Sequence, residues 1–281
     1  MISSPLKWVG GKYTILDKLI PQLDVTNKIV EPFMGSITVS LNVSANEYIL
    51  NDYNPDLVNF FQNVINVPEK IMDYVSPYFM EMTSEKYYEL RELFNNTPKN
   101  TFDRACLFLI MNKFAFNGVC RYNQKGIFNV PYSNHKRVSV PNLMTVKNKF
   151  INKNIKFFNL NFSDSVLYEN LKENDVVYFD PPYLPSNDFD SNFSDYTGED
   201  FTLQQHIELA KMAKNLYSRG VRVVVSNHDT TPIRNLYDGA SYMLSIPKQR
   251  NVSSQKEKRK IVNELLVVYG KTIKNNTLYG D

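Results

Sequence analysis

The chain has 281 residues, of which 43% are hydrophobic and 22% are charged. This length allows one large domain or a core domain with an insertion, and a balance of 32 basic against 29 acidic residues excludes a strongly basic protein. Any nucleic-acid surface must therefore be local. The two cysteines, Cys106 and Cys120, lack metal-ligand spacing and indicate a reducing compartment. The apolar run 105–111 is too short to span a bilayer, and the first residues open no signal peptide.

Strand-like runs cluster toward both ends of the chain. They are rich in β-branched and aromatic residues and lack clean alternation, as strands covered on both faces do. The predicted strands are 28–31, 47–50, 156–158, 176–179, 221–225 and 264–269. Helical patterns lie between them at 12–20, 38–43 and 203–217, the last with Thr202 as N-cap and Gly220 as C-terminal stop. This alternation predicts an α/β fold with a largely parallel, doubly wound sheet.

The middle of the chain has a different pattern. Helical periodicity at 84–94 and 102–116 gives way to a polar loop, 117–142, that is dense in Asn, Gly, Pro and basic residues. We interpret this region as an insertion, so that residues 1–55 and 145–281 form the core domain and residues 56–144 form a mostly helical domain with a recognition loop.

The tetrapeptide Asp180-Pro181-Pro182-Tyr183 follows the predicted strand 176–179 directly. It places a carboxylate at the carboxyl end of a strand, where open α/β sheets bind ligands. The two prolines fix the backbone and leave carbonyls free to accept hydrogen bonds, while Tyr183 supplies a flat aromatic face. The pattern favours a site for a planar amino group over a simple proline-rich turn.

A second group of candidate residues lies near the amino end. The turn Glu31-Pro32-Phe33-Met34-Gly35-Ser36 follows the first strand, and a Gly there lets backbone approach a ligand closely. Asp52 closes the next strand, where an acidic residue can bind ribose hydroxyls. Trp8 and Lys12 flank a Gly pair and could contact a small ligand. Each feature also has a structural reading as turn, cap or core residue, so the case rests on their joint occurrence with the Asp180 motif.

These motifs, in this order, resemble the Dam-type DNA adenine-N6 methyltransferases (the D12 class) over nearly the whole chain. The blocks that carry the resemblance are Leu6-Lys7-Trp8-Val9-Gly10-Gly11-Lys12, Val30-Glu31-Pro32-Phe33-Met34-Gly35, Asn117-Gly118-Val119-Cys120-Arg121-Tyr122-Asn123, Gly126-Ile127-Phe128-Asn129-Val130-Pro131-Tyr132, Tyr178 to Tyr183 and Ser226-Asn227-His228-Asp229-Thr230. One departure is Ile37, which stands where the family motif has a second Gly and could narrow the pocket.

The resemblance implies a Rossmann-like, S-adenosyl-L-methionine-dependent methyltransferase fold with an inserted target-recognition domain. It also implies a cofactor site and a catalytic motif, and no metal is expected. The implied cofactor residues are Trp8, Lys12, Glu31, Pro32, Phe33, Gly35, Asp52, Phe162 and Asp180. The implied catalytic residues are Asp180, Pro181, Pro182 and Tyr183. Asp180 and the Pro181 carbonyl would accept hydrogen bonds from the N6 amino group, and Tyr183 would stack on an adenine flipped out of the duplex. We expect His228 to be structural.

The implied partner is double-stranded DNA that contains GATC. By the resemblance, Lys7 and Arg121 are expected to contact guanines of this site, and Phe116 with Asn117 to occupy the place of the family's intercalating pair near the flipped base. Arginine is also the commonest specific reader of guanine, which favours a base contact for Arg121 over a solvated surface charge. The full set of implied DNA-binding residues is Lys7, Phe116, Asn117, Val119, Arg121, Asn123, Pro131, His135 and Arg137. A dense basic run before the last strand indicates either a solvated surface or a phosphate-contacting loop; it comprises Lys248, Arg250, Lys256, Lys258, Arg259 and Lys260.

Three functional readings stay open at this level. The first is the GATC-specific DNA methyltransferase, expected to be a monomer in the cytoplasm of a bacterial or phage-infected cell. The second is a methyltransferase for another planar amino substrate, either an RNA base or a protein amide. The third is a catalytically weakened DNA-binding relative, for which Ile37 is the support.

Overall fold

The computed structural model of the protein describes residues 1–25, 27–183, 201–249 and 261–271. These residues form two compact units. The first unit comprises Met1–Thr14, Met34–Val43 and Leu50–Phe162, and the second comprises Ile15–Phe33, Ser44–Ile49 and the described residues after Phe162. The domain boundaries that we drew at residues 55 and 145 stay a prediction.

The described residues form eight α-helices and seven strands, and five of the helices follow one another between the second and third strands. The helices are α1 (Leu16–Leu23), α2 (Pro55–Asn66), α3 (Pro68–Met80), α4 (Ser84–Asn96), α5 (Phe102–Phe114), α6 (Leu143–Lys149), α7 (Leu203–Ser218) and α8 (Thr231–Leu236). The strands are β1 (Lys28–Glu31), β2 (Glu47–Asn51), β3 (Asn154–Phe158), β4 (Val176–Phe179), β5 (Arg222–His228), β6 (Tyr242–Gln249) and β7 (Ile261–Tyr269). The α/β class and each strand predicted from the sequence are confirmed, whereas β6 and α8 were missed.

The helical part of the first unit is built around α5. Side-chain caps start α5 and two of its neighbours. Asn54 accepts from backbone N–H groups in the first turn of α2, Thr83 does so in α4, and Thr101 does so in α5. Helix α5 is buried along nearly its whole length, since 105–112 is completely inaccessible to solvent. The periodicity at 84–94 and 102–116 therefore predicted two real helices, and α5 is the central one.

The strands of the described chain form a seven-stranded sheet in the order β3-β2-β1-β4-β5-β7-β6. In the second unit β1, β4 and β5 run parallel, with Phe179 opposite Val225 at the end of β4. Strand β7 runs antiparallel to both β5 and β6 and places Glu264 opposite His228. The parallel prediction thus holds for the centre of the sheet, and one edge is antiparallel.

Two predicted helices differ from the structure. Residues 12–20 begin with a short 3-10 turn, Tyr13–Ile15, and only then continue as α1. The helix predicted at 38–43 is wrong, because the segment forms successive turns closed by hydrogen bonds such as Leu41 N–H to the Ile37 carbonyl. Helix α7 is as expected, with a capping box between Thr202 and Gln205. In the described ranges no helix has the length and apolarity needed to cross a membrane.

Candidate functional site

A hydrogen-bonded cluster lies at the carboxyl edge of the sheet in the second unit. Asp180 directly follows β4, and the Tyr183 hydroxyl lies 3.1 Å from its Oδ1. The same hydroxyl lies 3.1 Å from Oε1 of Glu264 on β7. Desolvation, reinforced by the charges of Asp180 and Glu264, raises the pKa of Tyr183 well above its ordinary value. The phenol therefore keeps its proton and serves as a donor to these carboxyl groups.

Aromatic side chains surround this cluster. The Tyr183 ring meets the His228 ring edge to face at a centroid distance of 4.7 Å, so His228 helps to fix the tyrosine. Phe33, from the turn after β1, packs against Phe179 at 6.5 Å and against Phe201 at 5.5 Å. The second unit therefore holds one end of the Glu31–Gly35 turn firmly beside the end of β4.

The three residues after Asp180 differ in exposure. Pro181 is buried, Pro182 is exposed and Tyr183 is half-buried. His206, which is fully buried in α7, stacks edge to face on Phe201 at 4.7 Å, and burial lowers the pKa of its imidazole to about 4. His206 is therefore neutral at physiological pH. Glu31 and Pro32 are buried at the end of β1.

The first unit brings together three of the predicted cofactor residues. The Gly35 N–H donates to Oδ2 of Asp52 at 3.0 Å. A Cβ placed on Gly35 would lie 3.2 Å from the indole ring of Trp8, a tight contact that glycine avoids, and glycine also adopts the positive φ of 45° without strain. Trp8, Gly35 and Asp52 thus form one contiguous surface.

Asp52 supplies the carboxyl group of this surface, and its pKa is strongly shifted. Its two oxygens accept hydrogen bonds from the backbone, Oδ2 from Gly35 and Oδ1 from the Asn54 N–H at 3.0 Å. Desolvation outweighs these bonds and raises the pKa of Asp52 from 3.8 to about 6. The carboxyl group is therefore held in one orientation, and its pKa of about 6 means that its charge changes near that pH.

A cavity of about 280 Å³ opens beside this surface. It is lined by Ser3, Ser4, Leu6, Trp8, Gly11, Tyr13, Ser36 and Thr38. Lys12 and Phe162 are buried, and the Lys12 Nζ donates to the Gly10 carbonyl at 2.7 Å. The Ile37 side chain is completely buried, while its neighbours in the sequence line the cavity.

Lys7 is fixed next to the predicted recognition loop by Asn112 of α5. The Asn112 Oδ1 accepts from the Lys7 N–H at 3.0 Å, and its Nδ2 donates to the Lys7 carbonyl at 2.7 Å. The same Nδ2 lies 3.2 Å from the Gly118 carbonyl. A single buried amide therefore joins the amino-terminal segment to the loop.

Arg121 stands at the start of a small hairpin. Tyr122 and Phe128 form an antiparallel bridge, and Asn123 closes the turn between them through backbone and side-chain bonds to Ile127. The Tyr122 hydroxyl anchors the hairpin by donating to Asp56 at 2.7 Å, and Asp56 is paired in turn with buried Arg104. The loop predicted from composition is thus an ordered element on a rigid support.

The side chain of Arg121 is exposed on this hairpin, and its Nε donates to Oδ1 of Asn129 at 3.1 Å. Phe116 is 55% exposed, which is unusual for so large an apolar ring, and its N–H donates to the Pro131 carbonyl. Asn117 has a positive φ of 54° and is exposed beside it. Five further predicted DNA-binding residues lie exposed or half-buried in the first unit: Val119, Asn123, Pro131, His135 and Arg137.

Several residues of these clusters were missed by sequence reasoning. Glu264 was read only as the start of the last strand, and its place at the site depends on β7 running antiparallel. Asn112 was hidden within an apolar helix, although a lone Asn in such a helix could have signalled a buried polar contact. Asp56, in the first turn of α2, was not singled out from the sequence.

Two further expectations concern a metal ion and the basic run before β7. Within the described ranges, His, Cys, Asp and Glu side chains do not gather in threes or more as a metal ion would need. In the predicted phosphate-contacting run, residues 250–260 lie outside the described residues. The run therefore stays a prediction.

Comparison with known proteins places the chain in a class. Residues 8–255 match the family described as D12 class N6 adenine-specific DNA methyltransferase. Proteins named DNA adenine methylase are similar over 94% of this chain: one from Salmonella typhi is 38% identical over 94% of its own length, and one from Escherichia coli K12 is 37% identical over 94%. One from Vibrio cholerae O395 is 36% identical, with 95% of its length covered.

The chain therefore belongs to the D12 class of N6 adenine-specific DNA methyltransferases. It is an adenine-specific DNA methyltransferase, and its methyl donor is S-adenosyl-L-methionine. Its seven-stranded sheet with helices agrees with the α/β class expected from the sequence. Its substrate is DNA, which sets aside the reading of an RNA or protein methyltransferase.

Proposed function

We propose that the enzyme methylates the N6 amino group of adenine within GATC in double-stranded DNA, after the base has been turned out of the duplex. The observation that carries this proposal is the Asp180 carboxyl at the end of β4, which accepts a hydrogen bond from the Tyr183 hydroxyl. It presents an acceptor for an amino group next to an aromatic face for the heterocycle.

The residues of the first unit have the chemistry that the cofactor needs. S-adenosyl-L-methionine supplies an electrophilic methyl group and carries a ribose diol and an aromatic base. The Asp52 carboxyl is oriented by two backbone N–H groups and is suited to accept from ribose hydroxyls. The Trp8 indole offers a flat apolar face beside the cavity, and we propose that Lys12, Gly35 and Phe162 complete the cofactor-binding set in this unit.

The adenine N6 lone pair is delocalised into the ring, so the nitrogen is a poor nucleophile. We propose that Asp180 and the Pro181 carbonyl accept the two N6 hydrogens, which favours a tetrahedral nitrogen with its lone pair directed at the methyl group. Bound S-adenosyl-L-methionine would supply the methyl group to this lone pair, and the nitrogen would release one of its two protons to solvent. Tyr183 stacks on the base during this step.

Sequence reading is assigned to the first unit. Arg121 is exposed on a rigid hairpin, and Lys7 is held beside the same loop through Asn112. We propose that these two side chains contact the guanines of GATC and that Phe116 and Asn117 enter the duplex next to the extruded adenine. An exposed phenylalanine in the turn that follows α5 suits such a wedge, since its burial between bases removes apolar surface from water.

Transfer of labelled methyl groups to unmethylated plasmid, followed by mapping of the methylated adenines, tests the specificity. We expect methylation confined to GATC. Methylated adenines scattered over other sequences would contradict the GATC assignment but leave the reaction intact. A fluorescent base analogue at the target position tests extrusion, since its emission rises when the base leaves the stack. Size-exclusion chromatography tests the expected monomer.

The catalytic assignment is tested by Asp180→Ala. We expect this variant to lose methyl transfer while DNA affinity changes little, because an acceptor is lost and no phosphate contact is. Arg219→Ala, an exposed change in the same unit, is the matched control and keeps full turnover. Near wild-type turnover by Asp180→Ala would show that Asp180 is not the acceptor in the reaction.

A further inference from the structure

Two acidic side chains converge on one phenol hydrogen at the end of β4. The Tyr183 hydroxyl lies 3.1 Å from an oxygen of Asp180 and 3.1 Å from an oxygen of Glu264. A phenol carries one proton, and the two carboxyl groups share that donor. Any hydrogen bond that Tyr183 gives to Asp180 reduces the strength of Asp180 as an acceptor for another group.

The sheet itself brings Glu264 to this place. Strands β4 and β5 are parallel, so their carboxyl ends share one edge, and β5 extends beyond β4 to His228. Strand β7 is antiparallel to β5 and brings Glu264 opposite His228 at that edge. Glu264 is only 2% exposed, so the fold keeps a carboxyl group out of water directly behind the catalytic motif. Burial of this kind is costly unless the group has partners.

We infer that Glu264 is a positioning residue: it takes the Tyr183 hydrogen when the adenine amino group binds, which leaves Asp180 free to accept from N6. The inference rests on the proposed role of Asp180. Without Glu264, Tyr183 and the bound adenine would both donate to the Asp180 carboxylate, and each hydrogen bond would weaken the other. Either the tyrosine hydroxyl would lose its partner or Asp180 would bind the amino group less tightly.

Glu264 also holds the tyrosine ring independently of Asp180. The ring is fixed at its hydroxyl by β7 and at its face or edge by His228 of β5, which lies 4.7 Å away between centroids. Two neighbouring strands thus define the plane in which Tyr183 meets the base, whatever Asp180 does during the reaction. A preorganised ring avoids rearrangement as the substrate enters.

The test is a double-mutant cycle on the single-turnover rate of methyl transfer at saturating cofactor and DNA. We expect Glu264→Met to lower this rate about tenfold or more, because it removes the alternative acceptor at similar volume. We expect Glu264→Gln to recover most of the rate, since its amide oxygen still accepts from Tyr183. In a Tyr183→Phe background we expect Glu264→Met to change the rate by less than about twofold, because no hydroxyl is left to satisfy.

The matched control is Asp175→Leu. Asp175 is also 2% exposed and precedes β4 at the opposite end, so its loss costs stability without touching the cluster. Multiplicative effects of Glu264→Met and Tyr183→Phe, or equal rates for Glu264→Gln and Glu264→Met, would overturn the inference. If Asp180→Ala keeps its turnover, the proposed catalytic site itself fails. If Asp180→Ala is inactive but Glu264→Met is as fast as wild type, only the role of Glu264 fails.

Discussion

Gly118 and Lys7 approach each other so closely that no side chain fits between them. A Cβ placed on Gly118 would lie 2.6 Å from the Cβ of Lys7 and 2.8 Å from its Cδ. Asn112 reinforces the contact by bonding to Lys7 on both backbone groups and to the Gly118 carbonyl. The two segments that we assign to guanine recognition are distant in sequence but are therefore held in direct contact.

We expect Gly118→Ala to lower both stability and GATC discrimination, because the new methyl group must displace Lys7. Gly126→Ala is the matched control: both glycines have positive φ, 66° and 72°, but a Cβ on Gly126 meets nothing within 4 Å. The control is expected to lose about 1–2 kcal/mol of stability from backbone strain alone and to keep its discrimination. Denaturant unfolding and methylation of GATC and altered duplexes measure the two effects, and equal behaviour of both variants would contradict the role of the contact.

A second prediction concerns Arg121. Its replacement by Ala is expected to cost about 1–3 kcal/mol of discrimination at one base pair, which raises activity on altered sites relative to GATC. Lys125→Ala, an exposed basic change in the turn of the same hairpin, is expected to leave discrimination unchanged. The comparison uses one GATC duplex and a set of duplexes with one outer pair changed. Equal losses on all duplexes for Arg121→Ala would identify a backbone contact and move specificity to Lys7 and 131–137.

How far the sequence predicts this protein depends on the range of each interaction. The strand 176–179 with the Asp180 motif, and α7 with its Thr202 cap, follow from local patterns of burial and capping, and both were predicted. The position of Glu264 was not predicted, because it depends on the antiparallel register of β7 against β5. The link from Lys7 to Asn112 spans the chain from its start to α5, and no local pattern encodes it.

The segment after Gly35 shows the same limit in backbone conformation. Residues 38–43 have helix-like composition, but Ile37 takes a φ of 51°, in the left-handed region that β-branched residues avoid. The chain leaves the Glu31–Gly35 turn in a conformation that no propensity predicts, and turns replace the helix expected at 38–43. The local sequence and the tertiary environment disagree here, as is common at functional sites.

The strain at Ile37 gives a third prediction. The side chain is completely buried, so Ile37→Ala and Ile37→Gly are both expected to lose stability, about 2–5 kcal/mol for the alanine. Because glycine adopts positive φ without strain, the Gly variant is expected to be as stable as the Ala variant or more so, although glycine is usually the worse of the two. Denaturant midpoints measure the order. A clearly more stable Ala variant would show that the backbone at this position is not strained.

The raised pKa of Asp52, about 6, gives the last prediction: cofactor affinity falls as the pH drops through about 6. A ribose hydroxyl binds an ionised carboxylate more strongly than a neutral carboxyl group. Stability of the cofactor-free protein changes in the opposite direction. The folded-state pKa of Asp52 lies above its ordinary value of 3.8, so protonation favours the folded protein. The contribution of Asp52 to stability is therefore full below pH 3.8 and is lost as the pH rises through about 6. Titration calorimetry at pH 5 and 7.5 measures the affinity, and Asp52→Asn is expected to bind weakly with little difference between the two pH values. If the cofactor affinity of the wild-type protein depended on pH no more than that of Asp52→Asn, Asp52 would not be the residue that binds the ribose hydroxyls.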